Sequence, residues 1–543
     1  MRSTESLSPG NVSADVAAAC SSAPGIGAHF LKRLPSGGWR MVLLMCAAGA
    51  FGALALPPLT LFPVLIPSLG LLYLAAQAAR NWKQAAWRGF FYGMGLHTAG
   101  LYWLTNAILT RVHEFWWVVP FAAPGVALVI APLIAVPAVV CRYGAPGWPR
   151  VLIFAGCWTL ADMCRVLIFS GFPWNPLGSA LEVPGRAGDV LLQPASLIGV
   201  NGLTFCLVLA SLAMWLGRRG QFGVLAVFGL WCGWGSMRLY HARPLTVPMP
   251  VVVLVQGNVS EDEVLGHIDP AEQFGHYLQM TARGVQQAET LLARLRQSPE
   301  RGAQLRGIAV VWPESAFPAL LDEQPVARQM IARASGNALA LIGSDRRENG
   351  HWFNSLEAVG PQGRLEAIYD KSRLVPFGEY QPWIIPFNLL PGQLTPGAGL
   401  VRWDLPQAGR VGPMVCYEVV FSGGVVARQA RPDWLLTISN DAWYGNSAGP
   451  WQHLATGRMR AVEEGLALVF ANNRGPSGIF DSLGRETAHT HWGQEAVLVA
   501  PVPPPLAPTF FARFHNWTAG LSAFAGIVAG FLLSWGRKEE KPR

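Results

Sequence analysis

The stretch VGPMVCYEVVF, residues 411–421, places one thiol, Cys416, at the end of an apolar run, with Tyr417 and Glu418 directly after it. Such a run reads as a buried strand. Five more share the pattern: PVVVLVQGN (250–258), GIAVVWPE (307–314), ALALIGSD (338–345), WLLTISND (434–441) and LALVFANN (466–473). Long amphipathic stretches at 270–297 and 450–465 lie among them, and GPQG (360–363) and DSLG (481–484) read as hairpin turns. Strands interleaved with helices predict an α/β layered domain over residues 245–510. The runs end in polar residues: Gln256 and Asn258, Glu314, Asp345, Cys416 with Glu418, and Asn440 with Asp441. Sites in α/β sheets collect at strand ends, so the convergence predicts one site.

The rest of the chain is of another kind. Of its 543 residues 51% are hydrophobic and only 14% charged, and the mean hydropathy is +0.29. Crossing a bilayer takes about 20 apolar residues. Seven segments before the α/β domain qualify, near 41–57, 59–78, 88–109, 116–140, 150–170, 189–216 and 221–237, and an eighth lies near 517–536. Residues 1–40 are expected to form a disordered cytoplasmic tail, poor in charge over the first 30 and ending in Lys32, Arg33 and Arg40. With that tail inside, alternate turns on the same side carry Arg80, Lys83 and Arg88, then Arg142 and Arg150, then Arg218 and Arg219; the opposite loops carry only Arg111 and Arg186. The positive-inside rule then puts residues 245–510 outside the cytoplasm. Topology thus accounts for the net charge of +8, and no nucleic-acid partner is expected.

Cys416 is the one cysteine of the α/β domain. Outside the cytoplasm it has no disulfide partner there. It is either a small buried hydrophobe or a reactive group. Glu314, in VVWPESAFP, follows a buried run beside Trp312 and Pro313 and suits a general base; the same Pro-Glu-Ser could equally open a helix. Lys371, in YDKSRLVPFGEY, suits an oxyanion stabiliser or a surface pair with Asp370 or Glu379. Together, Glu, Lys and Cys make a complete set for acyl transfer.

The order of these residues, in WPES, YDKSRLVPFGE and MVCYE, resembles the carbon–nitrogen hydrolase (nitrilase) superfamily, which uses a Glu-Lys-Cys triad on an α-β-β-α sandwich. Taken with the apolar segments and with QGN (256–258), FNS (353–355), SNDAWYG (439–445), RMRAVE (458–463) and SGFPWNPLG (170–178), the chain from about 41 to 536 resembles the apolipoprotein N-acyltransferase family of Gram-negative inner membranes. The tail 1–30 falls outside that pattern. The resemblance implies transfer of an acyl chain from the sn-1 position of a phospholipid, typically phosphatidylethanolamine, through a Cys416 thioester. The acceptor is the α-amino group of the diacylglyceryl-cysteine that begins an apolipoprotein. It further implies Glu314 as base, Lys371 as oxyanion stabiliser, and supporting or substrate-binding roles for Glu379, Tyr417, Glu418, Asn354, Glu463, Gln256, Asn258, Asn440, Trp443 and Gly171. No cofactor or metal is expected, and the protein is expected to act as a monomer.

The segment EYQPWIIPFNLLPGQLTPGAG (379–399) is apolar and rich in Pro and Gly, and Trp383, Ile384 and Phe387 read as a lid that dips into lipid. Trp103, Trp116, Trp117 and Trp174 suit interfacial belts. A membrane-tethered amidase is the alternative enzyme. A transporter is a rival of another class, with only His97, Asp162 and Arg165 as ionisable candidates within the spans.

Overall fold

The computed structural model describes residues 34–35, 37–109, 116–260, 269–297, 305–382, 393–427 and 429–539. The expected lid residues Trp383, Ile384 and Phe387, and the tail up to residue 33, lie outside them.

The first half is helical: α1 (Gly38–Gly52), α2 (Leu65–Gln77), α3 (Trp82–Gly100), α4 (Leu104–Leu109), α5 (Ala122–Val140), α6 (Trp148–Cys164), α7 (Gly185–Leu192), α8 (Ala195–Ala213) and α9 (Arg218–His241). Helix α1 starts at Gly38, so residues 38–40 belong to it and not to the tail. Helix α3 starts well before the expected residue 88, because the Asn81 side chain accepts the Gln84 N–H and caps it. Helix α8 breaks at Gly199, whose φ is +63°, and the N–H of Val200 freed by the break donates to Glu463 Oε1 at 2.7 Å. Among the described residues five helical stretches are long and apolar enough to cross a membrane: 38–55, 119–143, 195–216, 218–241 and 517–536. Helix α6 has only 17 residues, and α3 carries Lys83 and Arg88, the latter turned inward to donate to the Ala75 carbonyl at 2.6 Å. Glycines 89 and 93 let α3 lie backbone against backbone on α5, since a Cβ there would come within 3.0 Å of Ala131 and Ile134 atoms.

Trp116 and Trp117 are exposed, as an interfacial belt requires, but Trp103 and Trp174 are not. Both are buried, and both indole N–H groups donate to Gln452 Oε1, at 2.9 and 3.0 Å. The belt expectation fails for this pair because an indole needs an acceptor when buried, and residue 452 supplies one. Asp162 and Arg165 pair with each other at 3.4 Å, and Arg165 also donates to the Trp174 carbonyl; they brace the loop after α6.

The α/β domain holds β1 (Met249–Gln256), α10 (Pro270–Arg296), β2 (Leu305–Val311), α11 (Pro325–Ser335), β3 (Leu339–Glu348), β4 (His351–Val359), β5 (Leu365–Asp370), β6 (Trp403–Leu405), β7 (Gly409–Val415), β8 (Trp434–Ser439), α12 (Ala448–Glu464), β9 (Ala467–Asn472), β10 (Gly478–Phe480), β11 (Glu486–His489) and β12 (Ala496–Pro501); α13 (Phe510–Phe514) and α14 (Trp517–Glu539) follow. The strands form two sheets, ordered β12-β1-β2-β3-β4-β5 and β11-β10-β9-β8-β7-β6. The six apolar runs are the parallel centres, β1–β2–β3 and β7–β8–β9.

Three apolar layers follow. Val252, Leu254, Val311 and Leu341 meet Val411, Val415, Leu436 and Val469 between the sheets. Tyr277 and Met280 of α10 and Ile331 of α11 cover Val251, Val253 and Val310 on one outer face. On the other, Leu454 and Ala461 of α12, together with Leu101, Trp103, Ile130 and Trp174 of the helical half, cover Met414, Leu435, Leu468 and Phe470. The domain is an α-β-β-α sandwich whose second outer layer is shared with the membrane helices.

Candidate active site

Cys416 stands where β7 ends and a 3-10 turn, Cys416–Val420, begins. Its φ is +51°, a conformation that costs a residue with a Cβ about 1–3 kcal/mol and persists only where the surroundings enforce it. Glu418 is one enforcer. It is buried; its Oε2 accepts the Val415 N–H at 2.9 Å and the Tyr369 hydroxyl at 2.8 Å, and its Oε1 accepts the Ser372 N–H at 2.8 Å and hydroxyl at 2.6 Å. Its oxygens thus tie the cysteine turn to the end of β5.

That strand end delivers Lys371, 1% exposed, whose Nζ lies 2.6 Å from Glu379 Oε1 and 3.3 Å from Glu314 Oε1. Glu379 is itself held by the Val375 N–H at 2.8 Å. Glu314, just past β2, also accepts Asn354 Nδ2 at 2.6 Å on Oε1 and the Asn440 N–H at 2.8 Å on Oε2. Donors from three places, β4 and the ends of β5 and β8, and so from both sheets, therefore converge on one carboxylate, and Pro313-Glu314-Ser315 does not open a helix.

Burial pushes the Cys416 thiol well above the usual cysteine range; the Glu314 charge adds to the rise and Lys371 opposes it. At rest the thiol is protonated, so attack needs a base. Burial would lower Lys371, but Glu379, Glu314 and Cys416 together hold its ammonium well above the ordinary lysine range. Lys371 is a permanent cation, and among the described residues its hydrogen-bond partners are two carboxylates for three N–H groups. A carboxylate, a fixed cation and a neutral thiol in one buried cluster can take a proton, stabilise an oxyanion and carry an acyl group.

The other expected residues divide. Tyr417 donates its hydroxyl to the Gly171 carbonyl at 2.7 Å, which ties the cysteine turn to the loop after α6. Glu463 joins α12 to α8 through Val200 and to Ser422 at 2.9 Å, and lies 2.8 Å from Arg460 Nε. Among the described residues neither hydrogen-bonds to Glu314 or Lys371. Gln256 is engaged elsewhere: it donates to His491 and Gln494 carbonyls and accepts the Ser477 and Thr490 hydroxyls at 2.6 Å. Asn258 sits at φ +54° and donates its N–H to the Asn473 carbonyl at 3.0 Å. Asn440 accepts Asn473 Nδ2 at 3.1 Å, and Trp443 is half-buried beside it. Sequence reasoning missed His453 and Gln452, whose signal is the polar pair in GPWQHL on an otherwise buried helix start. Cys416, Asp441 and His453 offer three ligand atoms within 4.8 Å of one another. A metal there would compete for both imidazole nitrogens, which face Asp441 and the Cys416 carbonyl at 2.9 and 3.0 Å.

Residues 273–508 match the carbon–nitrogen hydrolase family, which sets the class of the sandwich. Residues 48–213 match the apolipoprotein N-acyltransferase N-terminal domain. A protein of Allorhizobium ampelinum named apolipoprotein N-acyltransferase is 33% identical over 482 residues, covering 82% of this chain and 87% of that one. Its namesake in Rhodopseudomonas palustris is 32% identical over 532 residues, covering 90% and 96%. Among solved structures, a CN-hydrolase superfamily protein of Xanthomonas campestris is 22% identical with a TM-score of 0.33, covering 46% of this chain and 89% of that one. The chain belongs to the apolipoprotein N-acyltransferase family.

Proposed function

We propose that the protein N-acylates apolipoproteins by a two-step transfer through Cys416. In the first step Glu314 takes the thiol proton and the thiolate attacks the sn-1 ester carbonyl of a phospholipid, phosphatidylethanolamine for preference. Lys371 holds the resulting oxyanion. Collapse breaks the ester C–O bond, Glu314 returns the proton to the departing glycerol oxygen, and a lysophospholipid leaves. In the second step the α-amino group of a diacylglyceryl-cysteine attacks the thioester, loses a proton to Glu314, and the thiolate departs and is reprotonated. Glu379 keeps Lys371 in place, and Asn354 and Asn440 orient Glu314.

The observation that carries this reading is the buried cluster of Glu314, Lys371 and Glu379 set against a thiol on a strained turn. The names of the relatives supply the acceptor class and favour transfer over simple amide hydrolysis. In this reading residues 1–40 are cytoplasmic, residues 41–237 and 517–536 cross the inner membrane, residues 245–510 face the periplasm, and one copy suffices; the charged turns of the helical half support that orientation. The test is mass spectrometry of the protein incubated with phosphatidylethanolamine. An acyl adduct on Cys416 that passes to a diacylglyceryl peptide, with one lysophospholipid released per adduct, is expected. Active protein without an adduct would overturn the scheme.

A further inference from the structure

Asp441 and His453 have no part in that proton traffic, yet they lie directly behind the nucleophile. His453 is completely buried on α12. Its Nδ1 is 2.9 Å from Asp441 Oδ1 and its Nε2 is 3.0 Å from the main-chain oxygen of Cys416. A carbonyl oxygen only accepts, so Nε2 carries hydrogen and donates. Asp441 is immobilised in turn: Oδ1 accepts the Ser439 hydroxyl at 2.7 Å, Oδ2 accepts Asn472 Nδ2 at 2.7 Å, and its N–H donates to Asn472 Oδ1 at 3.0 Å. The imidazole is packed between Trp174, 5.3 Å between centroids, and the edge of Phe470, 5.0 Å. The left-handed backbone of Cys416 is thus gripped on two sides, by Glu418 through Val415 and by His453 through the Cys416 carbonyl.

We propose that Asp441 and His453 are positioning residues for the nucleophile. The carboxylate orients the imidazole, and the Nε2–H bond to the Cys416 carbonyl keeps the turn in the one conformation that presents the thiol to Glu314 and Lys371. The arrangement has the logic of a carboxylate–imidazole pair, but here it grips main chain and not a reacting atom. Without the bond the strained turn relaxes, and the thiol spends most of its time away from the cluster.

This rests on Cys416 being the nucleophile, and the experiment separates the two. Glutamine places a donor where Nε2 stood, whereas asparagine mimics only Nδ1. Purified full-length H453Q, H453N and C416A are compared with the parent for the rate of acyl-adduct formation from phosphatidylethanolamine vesicles and for transfer to a diacylglyceryl peptide. H453N is expected to slow adduct formation at least tenfold without changing the KM for phospholipid, and H453Q to be at least tenfold faster than H453N. Equal rates for H453Q and H453N, or an effect confined to KM, overturn the inference. C416A retaining full transfer overturns the parent reading instead. If the His453 variants do not fold, protein labelled with 15N-histidine decides: a protonated Nε2 at His453 is required, and an unprotonated one sinks the proposal.

Discussion

Replacing Gly171 by alanine tests how the membrane half controls the thiol. Gly171 has a φ of +101°, and a Cβ there would lie 2.6 Å from the Phe421 ring and 3.0 Å from the Val166 carbonyl oxygen. The ring cannot easily give way, because the Arg373 guanidinium sits 4.0 Å over its face and Tyr417 packs edge-on at 5.5 Å. Backbone strain at such a φ costs about 1–3 kcal/mol, and an overlap in a packed site about as much again. If the loop moves to relieve either, the Tyr417 bond to the Gly171 carbonyl is lost, at about 1 kcal/mol. Relaxation trades one cost against another, which leaves about 2–4 kcal/mol. At 1.4 kcal/mol per decade, that is a roughly thirty- to seven-hundred-fold fall in the population of correctly placed Cys416. The assay is the initial rate of Cys416 acyl-adduct formation by intact-protein mass spectrometry, with the thermal midpoint measured on the same sample. A G171A protein that acylates within threefold of the parent at an unchanged midpoint would refute the coupling.

Three further outcomes are expected. Because burial holds the Cys416 thiol above its usual range, its alkylation by iodoacetamide should rise about tenfold per pH unit up to pH 9 without levelling; K371M, which removes the one charge that lowers it, should alkylate more slowly, and a plateau below pH 8 contradicts the assignment. E314Q should cut adduct formation by about 100- to 10,000-fold, the range of a lost general base, yet alkylate at least as fast as the parent, since the Glu314 charge raises the thiol; parallel losses in both assays count against Glu314 as base. E418A strands the Val415 and Ser372 N–H groups and the Tyr369 hydroxyl, and should lower stability by about 3–5 kcal/mol; calorimetry with an unchanged midpoint would show that Glu418 is no clamp.

The parallel centre of each sheet was legible because strands covered on both faces become unbroken apolar runs. The antiparallel flanks β4, β5, β6, β10, β11 and β12 were not. They alternate or are short, as HWFNSLEAV and ETAH illustrate, and their register depends on partners far along the chain. Glu314 and Cys416 were legible as strand-end polar residues and Lys371 as the lysine of YDKSRLVPFGEY, and the structure brings Glu379, Asn354 and Asn440 to the same cluster. Gln256 obeys the same strand-end rule but is consumed by a turn, which no local pattern reveals. Trp103 and Trp174 misled for a related reason: an apolar ring near a helix end looks alike whether it meets lipid or a glutamine 278 residues away. His453 was hidden because its meaning lies in the main chain it grips.

The shared outer layer of the sandwich has a consequence for how the enzyme could ever be simplified. Cut free at residue 245, the sandwich would bare the face made by Met414, Leu435, Leu468 and Phe470 wherever Leu101, Trp103, Ile130 and Trp174 now cover it. Each such side chain returned to water forfeits about 1.5–3 kcal/mol, and the fragment would also lose the tether from Gly171 to Tyr417. A water-soluble truncate should therefore aggregate or rearrange its cysteine turn. The cysteine turn and the membrane half are one folding unit, so the site has no detached, water-soluble form.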